Sequence, residues 1–385
     1  MRIRILLVLA ATLLTHSATA LDPLSFEDWT DCIQEVGATC PLAAGLHTLD
    51  RRIVVAHDVT MYGTGVTPES TTVMREASYN DTLFRVEWAT SVTITNLRFD
   101  GNRAADQPPC RPANSNIFEV EVDGYAHIEN VVFQNSRGAS LVLKSGALVN
   151  SSVSGSRSTG VFLHSGAVLG SSFIENGTAG LALWESGEKS VYANYFYRNR
   201  YEMSDFGGGG QIYLQYDSSN SRIYNNTIDG ANWITTGGNI NGCPTPVGQR
   251  VWGIEAEPGI SSRLLGNEII GHTGAGIYAG RVNSLQVSGY NLIDCPTFPY
   301  CGARYIHDNY NSFAQSGGIE IIGLGAPSTN VELLGVLSRY NSGVAAHVEQ
   351  GTQGVGWVGG HCLQVGYNTS SSFTNQTPAS VTTCP

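Results

Sequence analysis

Glu255 and Glu320 are the residues whose type and setting most directly suggest chemistry. They sit in Ile254-Glu-Ala-Glu257 and Ile319-Glu-Ile-Ile322, two short segments that alternate apolar and outward-facing positions. A pair of carboxyls flanking a glycosidic bond can hydrolyse it, one as acid and the other as base or nucleophile. Glu257 offers a second pairing, since residues i and i+2 of one strand lie about 6.7 Å apart. A different set suits β-elimination, which needs a base for the C5 proton and positive charge beside a uronate carboxylate. Lys144, His164 and Tyr213 supply those groups. Trp184, Phe162 and Tyr278 are flat apolar surfaces on which a sugar ring can stack, and Gln215 and Arg281 add hydrogen-bond donors.

These residues are far apart in the chain, so a repeating element must gather them. Leu141-Val-Leu-Lys144, then Ser145-Gly146-Ala147-Leu148-Val149-Asn150, recurs twenty residues on as Val161-Phe-Leu-His164, then Ser165-Gly166-Ala167-Val168-Leu169-Gly170. A third unit begins at Leu181-Ala-Leu-Trp184. Drifted copies lie upstream at Phe84–Glu87 and Phe118–Glu121, and downstream at Ile212, Ile254, Ile277, Ile319 and Val344. Asn96, Asn130, Asn150, Asn194, Asn225 and Asn267 mark a corner after the second strand. Short β segments at a period near 20, split by Gly, Ser and Asn corners, are the signature of a solenoid whose coils bury their inward residues only when stacked. The expected fold is all-β: one right-handed parallel β-helix of about ten coils over 21–385. Residues 24–34 cap it as a helix, and Leu143, Leu163, Leu183 and Leu214 form one internal ladder.

Strand alternation then sends the second and fourth positions of each unit outward. The second column reads Arg85, Glu119, Val142, Phe162, Ala182, Tyr213, Glu255, Tyr278, Glu320, Ala345, and the fourth runs from Glu87 and Glu121 through Lys144, His164, Trp184, Gln215 and Glu257 to His347. Glu255 and Glu320 are two coils apart in this scheme, roughly 9.6 Å, near the upper limit for an inverting pair. The strands after the Gly corners read as poorer in functional groups. Four long insertions, 101–116, 199–210, 230–250 and 294–316, precede first strands and would wall the outward face, carrying Arg103, Asp106, Tyr201, Glu202, Asp205, Trp233, Arg304, Tyr305 and His307.

Composition narrows the partners. The formal net charge is −11, which argues against nucleic acid. Residues 1–20 read as a secretory leader, with Arg2 and Arg4, an apolar run and Ala18-Thr19-Ala20, so a secreted, extracellular location is expected. No later stretch is long enough for a membrane span. Eight cysteines in such a chain imply four disulfides, with Cys32–Cys40, Cys295–Cys301, Cys362–Cys384 and, by remainder, Cys110–Cys243. Sequons stand at Asn80, Asn150, Asn176, Asn225, Asn368 and Asn375.

The repeat, together with Thr93-Ile-Thr-Asn-Leu-Arg-Phe-Asp-Gly-Asn-Arg103, resembles the pectin-lyase-like superfamily of right-handed parallel β-helices. That resemblance implies polysaccharide lyases, glycoside hydrolases or uronan epimerases, with the working groove on the first sheet. The polygalacturonase motifs and the Asp-Pro-His-Glu of mannuronan epimerases are missing, so no catalytic residue is carried over. The expected partner is a polysaccharide bound to a monomer. A lyase is the first reading, with a hydrolase using Glu255 and Glu320 and a non-catalytic glycan-binding protein as alternatives. No cofactor is required, although elimination could use a divalent cation such as calcium.

Overall fold

The computed structural model describes residues 21–88, 90–105, 117–199, 210–215, 218–230, 251–257, 259–272 and 274–288. Beyond these it describes 328–334 and the strands within 239–244, 305–307, 316–322, 337–339, 344–348, 356–358 and 374–375. The leader, the three remaining expected disulfides and most of the four insertions lie outside the described residues.

The chain winds as a parallel solenoid with three strands per coil. In one coil these are Val161–Leu163, Gly166–Leu169 and Ser172–Ile174, and in the next Leu181–Leu183, Lys189–Tyr192 and Tyr195–Tyr197. Equivalent strands pair in parallel from coil to coil, and among the described residues the third face carries eleven of them, against the ten or so coils expected. The expected ladder is present, since Leu143 pairs with Leu163, Leu163 with Leu183, Leu183 with Leu214 and Leu214 with Ala256. All of these side chains are buried. Phe99, Phe133, Phe173 and Phe196 fill the core from the third face, with Phe173 and Phe196 stacked at 4.7 Å.

The corners explain why particular residues recur. Gly146 and Gly166 turn the chain from first to second face at φ +132° and +113°. A Cβ there would lie 1.9 Å from the carbonyl oxygen of the preceding coil, so no other residue fits. Between second and third faces a left-handed residue turns seven successive coils: Asn96, Asn130, Asn150, Gly170, Ala193, Asn225 and Gly266. Directly after it runs a buried polar ladder, Ser151, Ser171, Asn194, Asn226 and Asn267. The single row of corner asparagines expected from sequence is therefore two adjacent rows. Asn194 and Asn267 belong to the ladder, and the others to the left-handed turn.

The ladder satisfies backbone groups that no sheet reaches. Asn194 N–H donates to Asn226 Oδ1 at 2.9 Å, and Asn226 N–H donates to Asn267 Oδ1 at 3.1 Å. Asn226 Nδ2 donates back to Val191 O at 3.0 Å. A second ladder at the corner from third to first face links Ser156, Asn176, Asn199 and Gln211.

The N-terminal end is closed by a helix, Phe26–Cys32, capped by the Ser25 hydroxyl and joined by the Cys32–Cys40 disulfide. Its Trp29 is fully buried and donates to Cys40 O. Among the described residues one pair is antiparallel, Asn239–Ile240 with Cys243–Pro244. Tyr305–His307 is a strand of the third face rather than part of an insertion, pairing with both Glu268–Ile270 and Leu337–Arg339.

Candidate functional site

Strand register places one outward residue of each coil in a row along the first face. The row is Arg85, Glu121, Val142, Phe162, Ala182, Tyr213, Glu255, Tyr278, Glu320 and His347. It differs from the sequence expectation at two coils, both offset by two residues. Glu121, not Glu119, follows Arg85, and His347, not Ala345, follows Glu320. Glu119 is instead fully buried, with Arg75 Nη2 at 3.1 Å from its carboxylate. Phe118-Glu-Val-Glu121 alternates either way, so parity alone could not choose the register.

The central stretch of the row is Tyr213, Glu255, Tyr278, Glu320, His347. Glu255 is only 4% exposed, and His347 is buried too, whereas Tyr213, Tyr278 and Glu320 are half-buried. Trp252 stacks on Tyr278 with ring centroids 4.6 Å apart and planes 23° from parallel. Gly274 makes room for that indole, since a Cβ there would lie 2.7 Å from Trp252 Cδ1. Trp252 was outside the sequence-derived set, because it precedes the four-residue unit on which that set was built. Glu257 and Gln215 lie half-buried, each just past the end of its strand.

The cations expected to serve elimination are engaged elsewhere. Lys144 Nζ pairs with Asp123 Oδ1, and Arg85 Nη2 lies 2.9 Å from the other oxygen of the same carboxylate. Burial works against ionisation of Asp123, yet its bonds to Lys144 and Arg85 hold the carboxyl below the usual range. His164 is buried under Trp184, ring edge to ring face at 5.5 Å, and its Nδ1 lies 3.1 Å from a Glu185 oxygen without hydrogen-bond alignment. Phe162 packs against the same indole at 4.6 Å. Phe162, His164 and Trp184 thus form one cluster across two coils, the second of which pairs with the Tyr213 coil. Arg281 is exposed at the corner between first and second faces, in a left-handed conformation.

Of the wall residues, Arg103 is buried, with Nη1 donating to Gly155 O, so it belongs to the packing between coils. Asp106, Tyr201, Glu202, Asp205, Trp233 and Arg304 lie outside the described residues. Among the described residues no group of three or more His, Cys, Asp or Glu is placed to hold a metal ion, and no helix is long and apolar enough to cross a membrane.

The second face is richer than the sequence suggested. Its outward row runs Ser190, Arg222, Arg263, Gln286, Glu332, and beside it Tyr192 stacks on Tyr224 at 4.6 Å. A cavity of about 690 Å³ opens along this row.

In-register parallel coils with two polar ladders and an outward row of mixed groups define a right-handed β-helix protein. The chain belongs to the right handed beta helix region family, whose model matches residues 85–292. No curated protein matches it in sequence. Among solved structures it is similar to the A-module of the Azotobacter vinelandii mannuronan C-5 epimerase AlgE4. That likeness has 14% identity and a TM-score of 0.55, covering 86% of this chain and 89% of that one. The Dettilon tailspike protein gp208 matches at 12% identity and TM-score 0.49, over 86% of this chain and 61% of that one. The periplasmic alginate epimerase AlgG, as a double mutant, matches at 11% identity and TM-score 0.49, over 88% and 77%. At such identities the first of these likenesses establishes the fold alone.

Proposed function

We propose that this protein is a secreted carbohydrate-active enzyme that binds a polysaccharide along its first face and cleaves it with Glu255 and Glu320. The observation that carries this reading is the register row Tyr213, Glu255, Tyr278, Glu320, His347. It alternates aromatic rings with carboxyls along the coil axis, at about 4.8 Å per step. Two carboxyls two steps apart, near 9.6 Å, suit an inverting hydrolase, with room for the attacking water. One is nearly enclosed and the other half-exposed, and unlike environments are what separates an acid from a base. Tyr278 lies between them in the row, with the buried Trp252 stacked on its ring.

Hydrolysis now stands ahead of elimination, because Lys144 and His164 are occupied by Asp123, Glu185 and Trp184 away from the row. The AlgE4 module, a mannuronan epimerase by name, supports a polysaccharide as substrate class on this fold. The Cys32–Cys40 bridge and the leader-like 1–20 support an extracellular location.

A panel of polysaccharides, assayed for new reducing ends and for ultraviolet absorbance, tests the reading. Reducing ends without absorbance support hydrolysis, and E255Q or E320Q should abolish them. Absorbance from a new double bond means elimination. That second reading rests on His347, which the register sets beside Glu320 in the same row. It would call for a divalent cation such as calcium at the carboxylates, so a chelator would stop elimination and spare hydrolysis. No product from any polymer would sink the enzymatic reading.

A further inference from the structure

The second face holds a pair of arginines that the proposed chemistry does not use. Arg222 and Arg263 occupy the same outward position on adjacent coils, paired in register. Both are exposed, and among the described residues neither makes an ion pair or a side-chain hydrogen bond. Like charges facing each other across neighbouring strands are destabilising. In a chain of net charge −11, these two exposed guanidinium groups stay outside the ion pairs seen among the described residues.

Their surroundings form a built groove. It is lined by Ser190, Ser261 and Ser284 and by Glu188, and Lys189 lies in its wall, with Nζ held by the carbonyls of Glu185 and Gly187. Glu332 lies at one end, its carboxylate taken by Gln286 Nε2 at 2.7 Å. Alongside, Tyr224 meets Ser190 through its hydroxyl at 3.1 Å and stacks on Tyr192, giving the groove an aromatic margin.

We infer that this groove is a second glycan site, separate from the first-face row, that binds the carboxylates of an acidic polysaccharide through Arg222 and Arg263. A guanidinium presents two parallel N–H donors that match a carboxylate. The coil step of about 4.8 Å sets the two forks close to one sugar residue apart along an extended chain. The accessible hydroxyls of Ser190, Ser261 and Ser284 can exchange hydrogen bonds with ring hydroxyls, and the tyrosine pair offers an apolar surface to a pyranose. The site does not depend on the assignment of Glu255 and Glu320, and it holds whether the polymer cleaved is the same or another.

The test is binding of de-esterified polygalacturonate at low salt, by calorimetry and affinity electrophoresis, with neutral dextran, dextran sulfate and duplex DNA in parallel. Wild type is expected to bind polygalacturonate and not dextran. R222Q/R263Q should weaken that binding by about tenfold or more, as expected for loss of charge-assisted hydrogen bonds. R222K/R263K keeps the charge and loses the fork, so its affinity should fall between the two. E255Q and E320Q, on the other face, should bind polygalacturonate as wild type does. The inference is overturned if wild type shows no binding or if R222Q/R263Q binds equally well with an unchanged Tm. It is overturned too if dextran sulfate or DNA binds as tightly as polygalacturonate, which would mean charge alone. Loss of binding in E255Q or E320Q would put the acidic glycan on the first face instead.

Discussion

The first and second faces of the same coils carry opposite chemistry on one frame. Between residues 210 and 334, the first face reads Tyr213, Glu255, Tyr278, Glu320 while the second reads Arg222, Arg263, Gln286, Glu332. Backbone spacing is the same on both, because parallel in-register pairing fixes it. The fold therefore sets only the distance between neighbouring groups, and one outward residue per coil decides what a face does. On the first face the row is partly enclosed by aromatic rings, and its groups are half-buried or buried. On the second face the arginines stand exposed.

The comparison breaks most readily at Glu255 and Glu320. Either change to Gln is expected to lower turnover by about two orders of magnitude or more, since each removes a proton donor or acceptor. E320Q should leave stability within about 0.5 kcal/mol. E255Q affects an enclosed carboxyl, so its Tm should shift more than that of E320Q. Equal turnover in wild type and both variants would mean that the first face does not do the chemistry.

Asn226→Ala tests the frame that both faces share. It strands the Asn194 N–H and the Val191 carbonyl and is expected to cost about 2–3 kcal/mol in denaturant unfolding. Because the frame is common, it should weaken both faces together, unlike any outward substitution.

Lys189 sharpens the comparison on the second-face side through pH. Burial lowers its ammonium from 10.5 to about 8, against the pull of Glu185. Between those values the unfolded chain binds more protons than the folded one, so stability rises with pH across that window. K189M should lack this rise when unfolding is followed across the same window, and an identical slope in both proteins would contradict it.

The smallest effect is expected at Lys144. Its pair with Asp123 is part-exposed, so K144A should cost under about 1 kcal/mol. Turnover should change little if hydrolysis operates. If H347A damages activity more than the Glu changes do, elimination is the better reading.

Much of this was legible in the sequence. The exact twenty-residue repeat over 141–180 gave the fold, the inward ladder and the position of the outward row, because the same side-chain alternation recurs without insertions. The row slipped where that clarity ended. At Phe118–Glu121 two apolar alternations overlap, and at Val344–His347 three small apolar residues give no phase. The corner asparagines merged into one row because turn and ladder positions are adjacent, as Asn225 and Asn226 show. Arg222 and Arg263 escaped notice because the segment 231–250 breaks the period between them. Only register reveals that they are neighbours.

The asparagine ladder also gives the molecule a direction. Each ladder amide serves the coil before it: Asn226 takes the Asn194 N–H and fills the Val191 carbonyl, while its own N–H waits for Asn267. A stack cut at any coil thus ends in open donors on its C-terminal side, whereas its N-terminal side is closed by the helix Phe26–Cys32. A chain delivered N-terminus first would present each arriving coil with a ready template, so assembly can proceed vectorially, like a zipper with one sealed end.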